Sequence, residues 1–339
     1  DTMTQTIKAV GFTSANSSPT HTEQTLSQPQ GHDLLIQINA IAVNPVDTKI
    51  KAGIEGTLDT PKIVGWDATG TVISIGDEVE IFNVGDQVFY AGDVTRPGCY
   101  ASHQLVDERI VGRKPKSLSD AEAAALPLTS ITAGEALFSR LKIVAEIDKG
   151  KTILIIGAAG GVGSIAMQLA KNVAQLNVVA TASRPASEVW CNKLGADHII
   201  NHHDDLVENY RALGIDDPHY IFCLSDTDHY YDAMAELIAP QGMICTIVGT
   251  KEHHDLDKLK SKSAGLVWEF MFTRPMYNTK DMITQHHLLN MIADLVDDGK
   301  IKTTLAETIG PITAENIDKA HQQLLTGKTI GKLALTTLT

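Results

Sequence analysis

Lys151-Thr-Ile-Leu-Ile-Ile-Gly-Ala-Ala-Gly-Gly-Val-Gly-Ser-Ile-Ala166 decides the fold. Thr152 to Ile156 is a short β-branched apolar run, the pattern of a strand buried on both faces. Gly157, Gly160 and Gly163 follow at G-x-x-G-x-x-G spacing. Val162, Ile165, Ala166, Leu169, Ala170 and Val173 then recur at three- and four-residue intervals, one apolar helix stripe. Strand, glycine turn and amphipathic helix in that order predict a dinucleotide-binding unit. Gly157 permits the tight turn, Gly160 lets the backbone approach a pyrophosphate, and Gly163 lets helix and strand pack closely. The amides at the helix start, those of Gly161 and Val162 included, then hold the phosphates. Gly150-Lys151-Thr152 is no phosphate loop, because it precedes the strand and position 145 is Ala.

Outward from that unit, residues 151–250 alternate strand and helix. Strands are predicted at 178–181, 198–200, 220–224 and 243–248, with helices over 186–194 and 231–238. That is an α/β fold, a doubly wound parallel sheet. Residues 1 to about 120 read differently, as short strands (34–43, 70–75, 85–90) broken by Gly, Pro, Asn and Asp, the pattern of an irregular β-barrel. Ser117 and Ser119 are candidate N-caps for a helix at 120–125, and 132–141 is a second helical piece. Helices are also predicted at 284–298 and 314–325, with short strands between and after them.

With 339 residues, the chain can build two cores. A net charge of −13 argues against nucleic acid or an anionic membrane as partner. No apolar run approaches the ~20 residues of a membrane span, and the N-terminus lacks a signal-peptide pattern. Met3 reads as the natural start. Four scattered cysteines without C-x-x-C spacing suit a reducing cytoplasm. Three adjacent histidine pairs (202/203, 253/254, 286/287) are expected to be solvated surface residues, since adjacent side chains diverge.

Several short motifs in order resemble the medium-chain dehydrogenase/reductase superfamily, in its zinc-free quinone oxidoreductase branch. They are Val43-Asn-Pro-Val-Asp-Thr-Lys49, Gly65-Trp-Asp-Ala-Thr-Gly70, Gly85-Asp-Gln-Val88, Leu126-Pro-Leu-Thr-Ser130, the glycine turn, Leu194-Gly-Ala-Asp-His198 and Gly331-Lys332. The resemblance implies a chaperonin-10-like barrel over 1–126 and 277–339, an inserted Rossmann domain over 127–276, and a cleft between them. It also implies a homodimer paired through the Rossmann edge strand, expected near 243–248. Zinc-dependent relatives place Cys, His and a further Cys or Asp where this chain has Asn44, Trp66 and a residue of the 126–130 turn. None of these is a good zinc ligand. The implied substrates are therefore ones that delocalise the incoming negative charge, quinones or alkenes conjugated to a carbonyl.

The cofactor form is legible too. NAD binders carry Asp or Glu at the end of the second strand. Here that strand ends Ala180-Thr-Ala-Ser-Arg184, where Ser183 and Arg184 offer a hydroxyl and a guanidinium that suit the 2′-phosphate of NADPH. The resemblance places His202 near the same phosphate, where relatives have Tyr, and Ser225 near the cofactor. It places Asn44 and Thr129 beside the nicotinamide, and Lys49 where relatives have a Tyr proposed to position substrate or supply a proton. Tyr90, Arg96 and Tyr100 are expected to border the cleft, and Phe270-Met-Phe-Thr273 to wall the nicotinamide pocket. Two other readings stand beside this one. A zinc-dependent alcohol dehydrogenase is disfavoured by Asn44 and Trp66, and a non-catalytic NADPH-binding redox sensor is kept open by Lys49.

Overall fold

The computed structural model describes Thr4 to Leu338, so the expected start at Met3 lies outside the described residues. The chain divides into two compact units. One comprises the chain up to Ile131 with 272–299 and 303 onward; the other comprises 132–271 with 300–302.

In the first unit the strands are β1 (Thr4–Gly11), β2 (Thr20–Ser27), β3 (Asp33–Ala42), β4 (Ala68–Ile75), β5 (Gln87–Tyr90), β6 (His103–Asp107) and β7 (Val111–Arg113). In the second they are β8 (Thr152–Ile156), β9 (Asn177–Thr181), β10 (His198–Ile200), β11 (Tyr220–Cys223), β12 (Met243–Thr246) and β13 (Gly265–Trp268). The returning chain adds β14 (Leu305–Ile312) and β15 (Lys332–Leu338) to the first unit.

The main sheet of the first unit runs β14-β15-β3-β4-β5-β7, with β6 also paired to β3. β15 lies antiparallel to β3 at Ala334–Ala42 and Leu335–Ile41. This register carries Lys332 to the point where β3 ends and helix Pro45–Ala52 begins. Ser119 caps helix Asp120–Ala124 through the Glu122 amide. Ser117 is no cap, because its amide and hydroxyl both donate to Asp297 Oδ1.

The second unit is a six-stranded parallel sheet in the order β10-β9-β8-β11-β12-β13. Every residue of β8 is buried, as its apolar run predicts. Leu154, Ile156, Val179, Ile221 and Ile244 anchor a core against helix Thr227–Leu237. β13 corrects the sequence reading. It pairs outside β12, so 243–248 is internal and the sheet edge is Gly265–Trp268. Its four residues are too few for periodicity to show. Helix Pro127–Gly134 continues as a π-helix over Glu135–Arg140. Buried Glu269 accepts from Arg140 Nε at 3.0 Å. Burial and the neighbouring Glu135 carboxyl push Glu269 up to about 9.

Adjacent histidines are not uniformly solvated. In each pair one ring is exposed and its neighbour is engaged. His254 Nε2 meets Asp228 Oδ1 at 2.6 Å, and His286 Nδ1 meets the Val111 carbonyl at 2.7 Å. Divergence of neighbouring side chains sends one inward as readily as it sends the other outward. Asp228, Glu252 and His254 also bring one ligand atom each within 4.8 Å of one another.

Candidate active site

In the second unit, Gly157 has φ +83°, a left-handed conformation that side chains other than glycine rarely adopt. A Cβ on Gly163 would lie 2.2 Å from the Ala158 carbonyl oxygen, so close packing of helix on turn requires glycine there. Gly160, N-cap of helix Gly161–Asn172, faces open space where a Cβ would project. The first helical bond is Ser164 N to Gly160 O, which leaves the Gly161, Val162 and Gly163 amides ahead of the intrahelical ladder. Ser164 Oγ donates back to Gly160 O and accepts from Trp190 Nε1, bracing the turn from behind. A pyrophosphate suits this open, amide-lined turn.

The other residues expected at the cofactor follow the carboxyl ends of neighbouring strands of the sheet. Ser225 follows β11 beside Gly157, at 3.5 Å from where a Cβ would sit. Ser183 and Arg184 follow β9, with Arg184 at the N-cap of helix Pro185–Lys193. His202 follows β10, and its Nδ1 lies 2.9 Å from Thr181 Oγ1. Thr181 Oγ1 also accepts from the Gly157 amide at 2.9 Å. Burial and the neighbouring His203 hold the His202 imidazole below its usual range.

In the first unit, Asn44 belongs to a buried network that the sequence did not announce. Its Nδ2 donates to Asp67 Oδ2 at 2.8 Å, and its Oδ1 accepts from Lys332 Nζ. Lys332 also donates to the Val43 carbonyl and pairs with Asp67 Oδ2 at 3.2 Å. Asp67 Oδ1 accepts from the Leu128 amide at 2.7 Å. Lys332 is 4% exposed and Asp67 is fully enclosed. Burial raises the Asp67 carboxyl, and the Lys332 ammonium opposes that shift. A second chain leaves the Asn44 backbone amide, which donates to Asp47 Oδ2 at 3.1 Å. Tyr100 donates to the same oxygen at 2.5 Å and meets His321 Nε2 at 2.9 Å. Burial pushes Asp47 up to about 7 and His321 down to about 4.

These contacts show where the remaining expected residues stand. Lys49 is exposed on helix Pro45–Ala52, and the lysine that meets Asn44 is Lys332. Tyr90 is buried on Gln104, Arg96 clamps Asp33 with two bonds, and Tyr100 is spent on Asp47. Tyr90 and Tyr100 are buried in the barrel, whereas Arg96 and Asp33 are both partly exposed. Phe272 packs edge-on against Trp66 within the first unit, while Phe270 is half-exposed. Thr129 is buried, its hydroxyl donating to the Leu126 carbonyl one turn back.

Residues 30–116 match the alcohol dehydrogenase GroES-like domain, and residues 194–335 match a family described as zinc-binding dehydrogenase. A zinc-type alcohol dehydrogenase-like protein of Staphylococcus aureus (strain COL) is 45% identical over 315 residues, 92% of this chain and 93% of its own. The chain belongs to the medium-chain dehydrogenase/reductase superfamily. It is therefore an oxidoreductase. A tomato 2-methylene-furan-3-one reductase (Solanum lycopersicum) is 30% identical across 89% of this chain and 71% of its own. The Escherichia coli quinone oxidoreductase solved with NADPH shares the fold, with a TM-score of 0.80 at 24% identity, covering 98% of this chain and 100% of its own.

The zinc implied by the matched family name finds a poor ligand set in this oxidoreductase. Asn44 has both ends of its amide engaged, Trp66 offers only an N–H donor, and the Lys332 ammonium stands where it would repel a dication. What the arrangement does is fix Asn44. One Nδ2 hydrogen remains for a further partner, in an orientation set by Asp67 and Lys332.

Proposed function

We propose that this protein is an NADPH-dependent, zinc-independent reductase of quinones or α,β-unsaturated carbonyls. The observation that carries the cofactor choice is the end of β9. Thr181 there is held between Gly157 and His202, and Ser183 and Arg184 follow, with no carboxylate to accept from a ribose hydroxyl. Bound NADPH supplies a hydride and leaves an acceptor carrying negative charge. The chain's part is to hold the pyrophosphate on the 160–163 turn, to meet the 2′-phosphate with Arg184, Ser183 and His202, and to present the Asn44 amide in one orientation.

Support for the acceptor class comes from the misfit of zinc at Asn44 and Trp66 and from the relative named for a conjugated ketone. Without a Lewis acid, an acceptor that spreads the developing charge is favoured. We also infer that two copies pair through β13, whose Trp268 is 46% exposed at the sheet edge. The deciding experiment is steady-state turnover of a quinone and enal panel with NADPH and with NADH, before and after EDTA. Turnover faster with NADPH and resistant to EDTA supports the reading. Nucleotide binding without turnover, or activity lost with stoichiometric zinc, overturns it.

A further inference from the structure

Thr181 is 1% exposed, and its hydroxyl has one proton to place. The oxygen already accepts from the Gly157 amide, and among the described residues the acceptor in reach of its proton is His202 Nδ1 at 2.9 Å. A buried hydroxyl left without an acceptor is costly. Nδ1 is therefore the acceptor, and the ring proton sits on Nε2. Tyr230 holds the ring in that pose, edge-on at 6.3 Å, while its hydroxyl donates to the His202 carbonyl at 3.1 Å. Nε2 meets no protein partner among the described residues.

We infer that Thr181 is a positioning residue that ties the glycine turn to His202 and fixes His202 as the Nε2–H tautomer, a neutral donor for the 2′-phosphate. The phosphate contact rests on the NADPH reading; the Thr181 hold does not. Thr181 thus sets the two phosphate subsites relative to each other through one oxygen. Protonating His202 would force its Nδ1 hydrogen toward Thr181 Oγ1 and strand the hydroxyl proton, which agrees with the depressed basicity of the ring. The contact accordingly operates at neutral pH, without an imidazolium.

The test uses the full-length protein with ¹⁵N-labelled histidine, the His202 signals assigned through His202→Ala. Cofactor-free wild type and Thr181→Ser should show the Nε2–H tautomer with an Nδ1 signal displaced by the hydrogen bond it accepts, and Thr181→Val should lose that displacement. Kinetically, Thr181→Val and His202→Ala should each lower the preference for NADPH over NADH by about tenfold, the scale of one hydrogen bond to a charged group. Thr181→Ser should restore it. A wild-type Nδ1–H tautomer, or an Nδ1 signal unchanged in Thr181→Val, overturns the hold. An unchanged preference in both variants overturns the phosphate contact. A wild type with no preference for NADPH overturns the cofactor reading and that contact together, while the tautomer result still decides the role of Thr181.

Discussion

Replacing Lys332 by Met tests whether the buried cation organises the Asn44 site. Lys332 has Asp67 Oδ2 at 3.2 Å, the Val43 carbonyl at 3.1 Å and Asn44 Oδ1 as partners, and both charged groups are buried. Methionine fills similar volume but leaves the Asp67 carboxylate enclosed, with only Asn44 and the Leu128 amide to stabilise it. Breaking a buried pair from one side costs about 3–5 kcal/mol. At about 2–4 °C per kcal/mol for a unit of this size, Tm should fall by roughly 6–20 °C. Because Asn44 loses an orienting partner, kcat/KM should fall by at least about tenfold in the protein that stays folded. The companion variant carries Asp67→Asn as well, removing the stranded charge while an amide at position 67 still accepts from Leu128. It should recover most of the lost Tm, giving a coupling of about 2–3 kcal/mol in the double-mutant cycle. Thermal unfolding of the four proteins, with NADPH-dependent turnover, measures both effects. A single variant within about 2 °C of wild type, or a double variant no better than the single, refutes the reasoning.

Arg184→Ala should raise KM for NADPH at least about tenfold and leave KM for NADH within about twofold, because only NADPH carries the 2′-phosphate; equal weakening of both assigns Arg184 to loop support. Asn44→Ala should lose both activity and stability, since the side chain bridges Asp67 and Lys332, whereas Thr129→Ala, which forfeits one intrahelical bond, should leave Tm nearly unchanged; melting curves beside kinetics separate them. Glu269 has a folded-state carboxyl raised to about 9, so its stabilising contribution is complete below its ordinary range near 4.5 and is lost as pH rises through 9. Stability should therefore decline between pH 7 and 9, and Glu269→Gln should flatten the decline in Tm, an outcome absent if the carboxyl is already ionised. Elemental analysis of protein purified without chelator should give far less than one zinc per chain.

The parallel sheet was legible because its strands are local signals. An apolar run such as 152–156, closed by a glycine that must turn, needs no distant partner to be recognised. Capping was legible where the capping residue precedes a helical pattern, as at Ser119, and failed at Ser117, whose hydroxyl serves Asp297 far along the chain. β13 escaped because Gly265-Leu-Val-Trp268 is too short for periodicity to show and gains strand character only by pairing with β12.

The candidate site divides along the same line. Its glycine turn, Ser183, Arg184 and His202 lie on consecutive βα connections, so the fold and the sequence order together predict that they gather. The Asn44 network does not work that way. Its members sit at positions 44, 47, 67, 100, 321 and 332, and each reads locally as something ordinary: a turn residue, a helix-start Asp, a strand-end Lys. The signal that could have found Lys332 is an energetic one. A lysine in the apolar strand Lys332-Leu-Ala-Leu335 cannot be buried alone, so it requires a buried carboxylate. In the barrel portion Asp67 is such a candidate, set between Trp66 and Ala68 where a charge is equally out of place. Pairing the two misplaced charges would have put a cation beside Asn44, at the position that zinc-dependent relatives give to a metal ligand. That placement would set a buried ammonium and a side chain that is a poor zinc ligand at one site, the pairing whose energetics Lys332→Met measures.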